Sequence, residues 1–284
     1  MGFEKINDYI YLTTDESFYD VVAAALVLPT KLVMIDTGIH LGKMKEFREW
    51  VERETGKKFA VLFITHFHGD HTFGNQIFSD CRIISPEIQS DYLKMLKEYL
   101  TEENIAKEQS HLKDPKALEG FEMTLSTETF LDQFELIDGD VKVIAKHVGG
   151  HTNDSTYIYC PSYKALFAGD NLFVDSNPYG GHSSCNPDIW MDVYKEILTL
   201  DADIIIPGHG PVTDKSYVEK SLANFELMKK SMKDLVEEGR TEDDVKELFH
   251  QRFFPPKDLK NPEDKSLDSG TVSRWYDVWI KGAK

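Results

Sequence analysis

The chain has 284 residues, of which 41% are hydrophobic and 12% aromatic, so it can bury one large core, or one core plus a small appended module. Its 49 acidic and 32 basic residues leave a formal net charge of −17 with no basic run, which argues against nucleic acid or anionic lipid as a partner. The opening Met1-Gly2-Phe3-Glu4-Lys5-Ile6 has no export signal, Val21 to Leu28 is too short to span a bilayer, and Cys81, Cys160 and Cys185 are too scattered for a disulfide framework, so a cytoplasmic protein that does not engage membranes is expected.

Along the chain, Tyr9-Ile10-Tyr11-Leu12 and Lys31-Leu32-Val33-Met34-Ile35 read as strands, the second running into the turn Asp36-Thr37-Gly38. A helix follows, with Met44, Phe47, Trp50 and Val51 on one face and Gly56 as its stop. Phe59 to Ile64 is a continuous apolar run, the pattern of a strand buried on both faces. Ser85-Pro86 reads as a cap followed by proline at the first helical position. A helical insertion over about 86–119 is expected, with Ile88, Tyr92, Met95 and Tyr99 at core spacing. Strands return at Val141 to Ile144, Ser155 to Tyr159 and Ala165 to Phe167, then a helix over Asp188 to Leu200 and a short strand at Ile204-Ile205-Ile206.

After Pro211 the pattern is helical. Val218, Leu222, Phe225, Met232 and Leu235 form one stripe ending at Gly239, Thr241 caps a second helix, Pro255-Pro256 breaks the chain, and Val272, Trp275 and Trp279 mark a last helix. Trp275 and Trp279 read as core or as the contact of a homodimer. The organisation is an α/β body over residues 1–212 with a helical carboxyl-terminal extension over 213–284.

The sharpest chemical signal is Thr65-His66-Phe67-His68-Gly69-Asp70-His71, directly after the buried strand. In an extended segment residues two apart point the same way, so His66, His68 and Asp70 can converge, and Gly69 lets the backbone turn so that His71 joins them. Three imidazoles and a carboxylate within six residues suit zinc or another borderline transition metal. Three more strand ends each offer one such side chain beside glycine: Gly150-His151, Gly169-Asp170 and Gly208-His209. His40, His111, His147 and His250 read as surface or packing residues. Tyr179 and His182, on the loop after Asp170, are candidates for substrate contact.

Asp36-Thr37-Gly38, the HxHxDH segment, His151, Asp170 and His209, in this order over about residues 10 to 212, resemble the metallo-β-lactamase superfamily. The resemblance implies an αββα sandwich with metals at one edge. It places His66, His68 and His151 on one metal, Asp70, His71 and His209 on a second, and Asp170 between the two, with Asp36 orienting the loop from behind. Two zinc ions are expected, iron and manganese being the other metals these ligands admit. Zinc lowers the pKa of its water to about 7, so a bridging hydroxide can attack a carbonyl at neutral pH, with Asp70 orienting it and carrying a proton.

The expected activity is hydrolysis of an ester-like carbonyl in a small molecule: a thioester, lactone or carboxylic ester. β-Lactam and phosphodiester hydrolysis belong to the same superfamily. The β-lactamases proper generally lack the bridging aspartate. Glyoxalase II is similar, but its Gly-Cys-Gly-Arg segment is replaced here by Phe173-Val174-Asp175-Ser176-Asn177-Pro178. The alternative of a different class is a persulfide dioxygenase, an oxidoreductase with one iron held by two histidines and an aspartate.

Overall fold

A computed structural model describes residues 2–15, 18–254 and 262–284, apart from the side chains of His111 and of residues 262–266. The Pro255-Pro256 break and the surface reading of His111 therefore lie outside what is described. The strands are β1 (Gly2–Lys5), β2 (Ile10–Asp15), β3 (Val21–Val27), β4 (Leu32–Ile35), β5 (Phe59–Phe63), β6 (Arg82–Pro86), β7 (Glu128–Phe130), β8 (Gln133–Asp138), β9 (Val141–His147), β10 (Thr156–Cys160), β11 (Ala165–Phe173) and β12 (Ile204–His209). The helices are α1 (Leu41–Thr55), α2 (Gly69–Thr72), α3 (Glu87–Tyr99), α4 (Glu102–His111), α5 (Pro187–Thr199), α6 (Lys215–Glu237), α7 (Glu242–Phe253) and α8 (Pro262–Trp279).

The strands follow the order β7-β6-β5-β4-β3-β12-β11-β10-β9-β8, with β2 also paired to β3 and β1 to β2. The amino-terminal half meets the carboxyl-terminal half through one antiparallel pair, Val21 with His209. So narrow a junction lets the two halves fold face to face. Their inner faces share one apolar layer, which joins Val22, Ile35 and Phe63 from one half to Val143, Ile158 and Phe167 from the other. The outer face of the first half is covered by Met44, Phe47 and Val51 of α1 and Leu93 of α3. The outer face of the second is covered by Trp190 of α5, Phe225 of α6, Phe249 of α7 and Trp275 of α8. This is an αββα sandwich, and the carboxyl-terminal helices contribute to one of its outer layers.

Parallel pairing of β4, β5 and β6, and of β11 with β12, brings strand ends of both halves to one edge. The helix α1 ends as its sequence dictates: Gly56 takes φ 68° at the C-cap, where glycine has no steric penalty. Thr241 caps α7, its side chain and that of Asp244 each accepting from the other's backbone N–H.

Three expectations need correction. Val21–Val27, registered in the sequence merely as an apolar stretch, is a fully buried strand at the centre of the sheet. Pro86 closes β6 and sits at the N-cap of α3 instead of opening the helix, and the insertion is two helices followed by turns. Most consequentially, α3 buries Gln89, Ser90 and Leu93, while Met95 is 64% exposed and Tyr99 48% exposed. The far end of the stripe read as core faces outward while Ile88 and Tyr92 are half-buried, because α3 also carries Leu93 and Leu96 on an adjoining side, and that side meets the sheet.

Candidate metal centre

The chain leaves β5 through Ile64 and Thr65 and enters α2 at Gly69, so Asp70 lies in the first helical turn and not in an extended run. The turn divides the HxHxDH segment. His66 and His68 gather with His151 and Asp170, while Asp70 and His71 gather with His209. Within each group one nitrogen or oxygen from every residue lies within 4.8 Å of the others. The remaining strand ends do the gathering. His151 follows β9, Asp170 sits inside β11 where its register with β12 shifts, and His209 closes β12.

Glycine is required at two of these positions. A Cβ at Gly208 would stand 2.0 Å from Asp170 Oδ1, and one at Gly169, where φ is 53°, would meet the Thr65 side chain at 2.6 Å.

Asp170 faces both groups. Its Oδ2 lies 3.5 Å from His66 Nε2 and 3.4 Å from His151 Nε2, while its Oδ1 lies 3.0 Å from His71 Nε2 and 3.4 Å from His209 Nε2. His68 presents Nδ1 to the first group, 3.0 Å from His66 Nε2 and 3.1 Å from His151 Nε2. Asp70 Oδ2 lies 3.4 Å from His209 Nε2 and 3.7 Å from His71 Nε2.

These spacings fit a shared cation. Ligand atoms at zinc–nitrogen distance around a tetrahedral ion are about 3.3 Å apart. His71 Nε2 and Asp170 Oδ1 are buried, face each other at 3.0 Å, and yet make no hydrogen bond of acceptable geometry. Two buried polar atoms left unbonded at that distance are expected of two ligands aimed at one ion.

The far side of each imidazole fixes which nitrogen is free. His71 Nδ1 donates to Asp36 Oδ2 at 2.8 Å, His151 Nδ1 to the Tyr179 carbonyl at 2.8 Å, and His209 Nδ1 to the Tyr19 carbonyl at 2.8 Å. Thr65 Oγ1 donates to Asp36 Oδ2 at 2.7 Å, so it accepts from His66 Nδ1 at 3.1 Å. In all four rings Nε2 is thereby the nitrogen turned toward the site: a lone pair in His66 and His151, and in His71 and His209 the position where a cation would replace a proton. Asp36 also takes the Thr65 N–H on Oδ1 at 2.7 Å, and it holds this position at φ 56°, a costly conformation for a residue other than glycine.

Electrostatics separates the groups. Burial, with His71 close by, holds His66 neutral well below its ordinary range, and burial next to the other rings pushes His68 down to about 3 and His151 to about 4. Burial also opposes charge on His209 and His71, but Asp170 and Asp70 outweigh it, raising His209 to about 10 and His71 well above its usual value. Charge is thus favoured where two carboxylates converge, the condition under which a cation is held.

The wall beside this floor is aromatic. Phe67 lies 4.7 Å from the His68 ring and stacks on Tyr92 of α3 at 4.7 Å, while His182 lies 5.1 Å from Phe67 and 6.0 Å from His68. Tyr179 lies 6.0 Å from both His68 and His151. His182 Nδ1 accepts from the Ser184 N–H at 3.2 Å, which leaves Nε2–H as the donor end of the neutral ring. The loop is backed by α8, where Thr271 Oγ1 accepts from the Gly180 N–H at 2.9 Å. His40 is elsewhere, capping α1 and pairing with Asp114, and His147 bonds the Asn153 carbonyl.

A family model described as the metallo-beta-lactamase superfamily matches residues 19–209, two thirds of the chain, across this whole arrangement. The chain belongs to the metallo-beta-lactamase superfamily. Among curated relatives it is 29% identical over 202 residues to "Beta-lactamase-like protein 2 homolog" of Caenorhabditis elegans, covering 67% of this chain but 55% of that protein. It is 24% identical over 231 residues to "Metallo-beta-lactamase type 2" of Bacillus cereus, covering 78% of this chain and 81% of the relative. The solved "Metallo-beta-lactamase from Pontibacter korlensis" superposes with a TM-score of 0.59 at 19% identity, over 79% of this chain and 98% of that one, a likeness that speaks to the fold alone. Membership in this superfamily implies bound metal ions, and the two groups of side chains are where they could sit.

Some residues at the site carried no signal in the sequence. Phe173 stacks on His209 at 5.0 Å with 5° between the ring planes, and Phe67 and Tyr92 form the wall. The Tyr19 and Tyr179 carbonyls act through the backbone, where side-chain identity gives no clue. Thr65 was readable in principle, as a hydroxyl between the strand and the first candidate ligand.

Proposed function

We propose that the protein is a hydrolase that uses two metal ions, zinc foremost, to cleave an ester-like carbonyl bond in a small molecule: a thioester, a lactone or a carboxylic ester. The observation that carries this reading is the split of the Asp170 carboxylate, one oxygen toward His66 and His151 and the other toward His71 and His209. A single buried carboxylate aimed both ways suits two cations better than one. Metal ions held there supply a water acidic enough to react at neutral pH and a Lewis acid for the carbonyl oxygen.

The chain's own residues do the rest. In the reaction, the water oxygen adds to the carbonyl carbon, the bond to the leaving oxygen or sulfur breaks, and a proton reaches the leaving atom. Asp70 is the carboxylate suited to carry that proton, since its side chain is 14% exposed against 3% for Asp170 and so opens toward substrate. Tyr179 and His182 supply donors that orient the carbonyl, and Phe67 and Tyr92 give the wall an apolar surface for substrate and shield the reacting atoms from bulk water.

A second reading, β-lactam hydrolysis, is favoured by the similarity to the Bacillus proteins named "Metallo-beta-lactamase type 2". The two are separated by a panel of thioesters, lactones, aryl esters, phosphodiesters and a β-lactam, run on protein of measured metal content. Turnover of an ester-type substrate at least tenfold above the β-lactam and the phosphodiester is expected. A β-lactam turned over fastest would replace the proposal with the second reading.

A further inference from the structure

The outward stripe of α3 begins at the metal centre. Tyr92 is shared: its ring stacks on Phe67 at 4.7 Å and lies 6.2 Å from His182, both of which line the His68 side of the site. Met95 and Tyr99 follow at three and seven residues along the same face, so the stripe extends about 10 Å beyond Tyr92 at the rise of an α-helix. Ile88, one turn before Tyr92, adds a half-buried aliphatic group. The charged residues of this helix lie elsewhere around it, with Lys94 paired to Asp91 at 2.9 Å.

The neighbouring face already packs on the sheet through Leu93 and Leu96. Among the described residues Met95 and Tyr99 are left largely open to solvent, being 64% and 48% exposed. Large aromatic side chains bury about 150–250 Å² each, so these partly exposed groups offer well under the roughly 800 Å² per partner of a stable dimer. A narrow apolar strip that leads out of a catalytic floor matches a linear apolar chain joined to the reacting carbonyl better than it matches a second protein.

We propose that the α3 stripe of Tyr92, Met95 and Tyr99 is a subsite for an elongated apolar group of the substrate, so that the preferred ester, thioester or lactone carries a linear acyl chain lying along this helix. The assignment rests on the hydrolase reading above, and the experiment keeps the two apart. The probes are p-nitrophenyl acetate, hexanoate and decanoate, used on metal-loaded protein below their aggregation limits and compared with the double variant Met95→Glu, Tyr99→Glu. In the unaltered protein kcat/KM should rise at least tenfold from acetate to decanoate. In the double variant the rise should fall to about twofold, with acetate turnover unchanged, because neither residue touches the reacting atoms.

A flat series in the unaltered protein, or an equally steep one in the double variant, would overturn the subsite while leaving the hydrolase intact. A light-scattering mass that halves in the double variant would assign the stripe to a second copy of the chain and also overturn it. Failure to cleave any ester would count against the hydrolase reading. The subsite would then be judged by calorimetric binding of sodium acetate against sodium decanoate, a tenfold preference for decanoate that the double variant abolishes being expected, and equal binding overturning it.

Discussion

The floor of the site and its wall are held by different means. Each floor imidazole except His68 has its far nitrogen tied to a named partner, and one carboxylate, Asp36, bonds both Thr65 and His71. The wall of Phe67, Tyr92, Tyr179 and His182 is held by ring contacts, with hydrogen bonds along the loop of residues 180–184, and Met95 and Tyr99 beyond it are largely exposed. Hydrogen bonds fix direction and ring contacts tolerate shifts of a few tenths of an ångström, so under the proposed function the floor would define the chemistry and the wall would set which substrate reaches it.

The largest effect should come from the residue that faces both groups. Asp170→Ala is expected to weaken both metal sites and lower kcat/KM by three orders of magnitude or more, about 4 kcal/mol, as read by elemental analysis and steady-state kinetics. Full metal and full turnover in that variant would break the contrast at its root. Next is Asp36→Asn, which keeps the shape but places an amide against the donors of Thr65 and His71. Metal affinity should fall about 10- to 100-fold, as measured by competition with a chromogenic chelator. Smaller still, Tyr179→Phe and His182→Ala should each reduce kcat/KM about tenfold, or 1.4 kcal/mol, with metal content unchanged. Loss of metal in either variant would move that residue from wall to floor. At the bottom, His40→Ala should leave metal and turnover alone and cost about 1 kcal/mol of stability, from the lost cap of α1, in chemical denaturation.

The same contrast explains what was legible in the sequence. The candidate ligand residues announce themselves because so many imidazoles and carboxylates beside glycine at strand ends have few uses other than holding a cation. The strand ends themselves show in short runs such as Ile204-Ile205-Ile206. The helices are harder. In α8, Val272, Trp275 and Trp279 form a stripe that is buried, with Trp275 packed on Phe225 at 4.8 Å and on Trp190 at 6.4 Å. In α3 the stripe of Ile88, Tyr92, Met95 and Tyr99 has the same periodicity, yet its first two members are half-buried and its last two exposed. Periodicity reports that a helix has an apolar face, but α3 has two, and the leucine face took the sheet. The strand Val21–Val27 was missed for a related reason: three consecutive alanines give apolar character without the branched side chains that mark a strand. The carbonyls of Tyr19 and Tyr179, which orient His209 and His151, could not have been found from residue type at all.

The central claim is that one carboxylate, Asp170, serves two cations in a hydrolytic site. Its most direct test is the metal content of gently purified protein by elemental analysis, paired with oxygen uptake in the presence of a persulfide. Two metal ions per chain, zinc predominating, and no oxygen uptake are predicted; one iron per chain with oxygen consumed would contradict the account and make the protein an oxidoreductase.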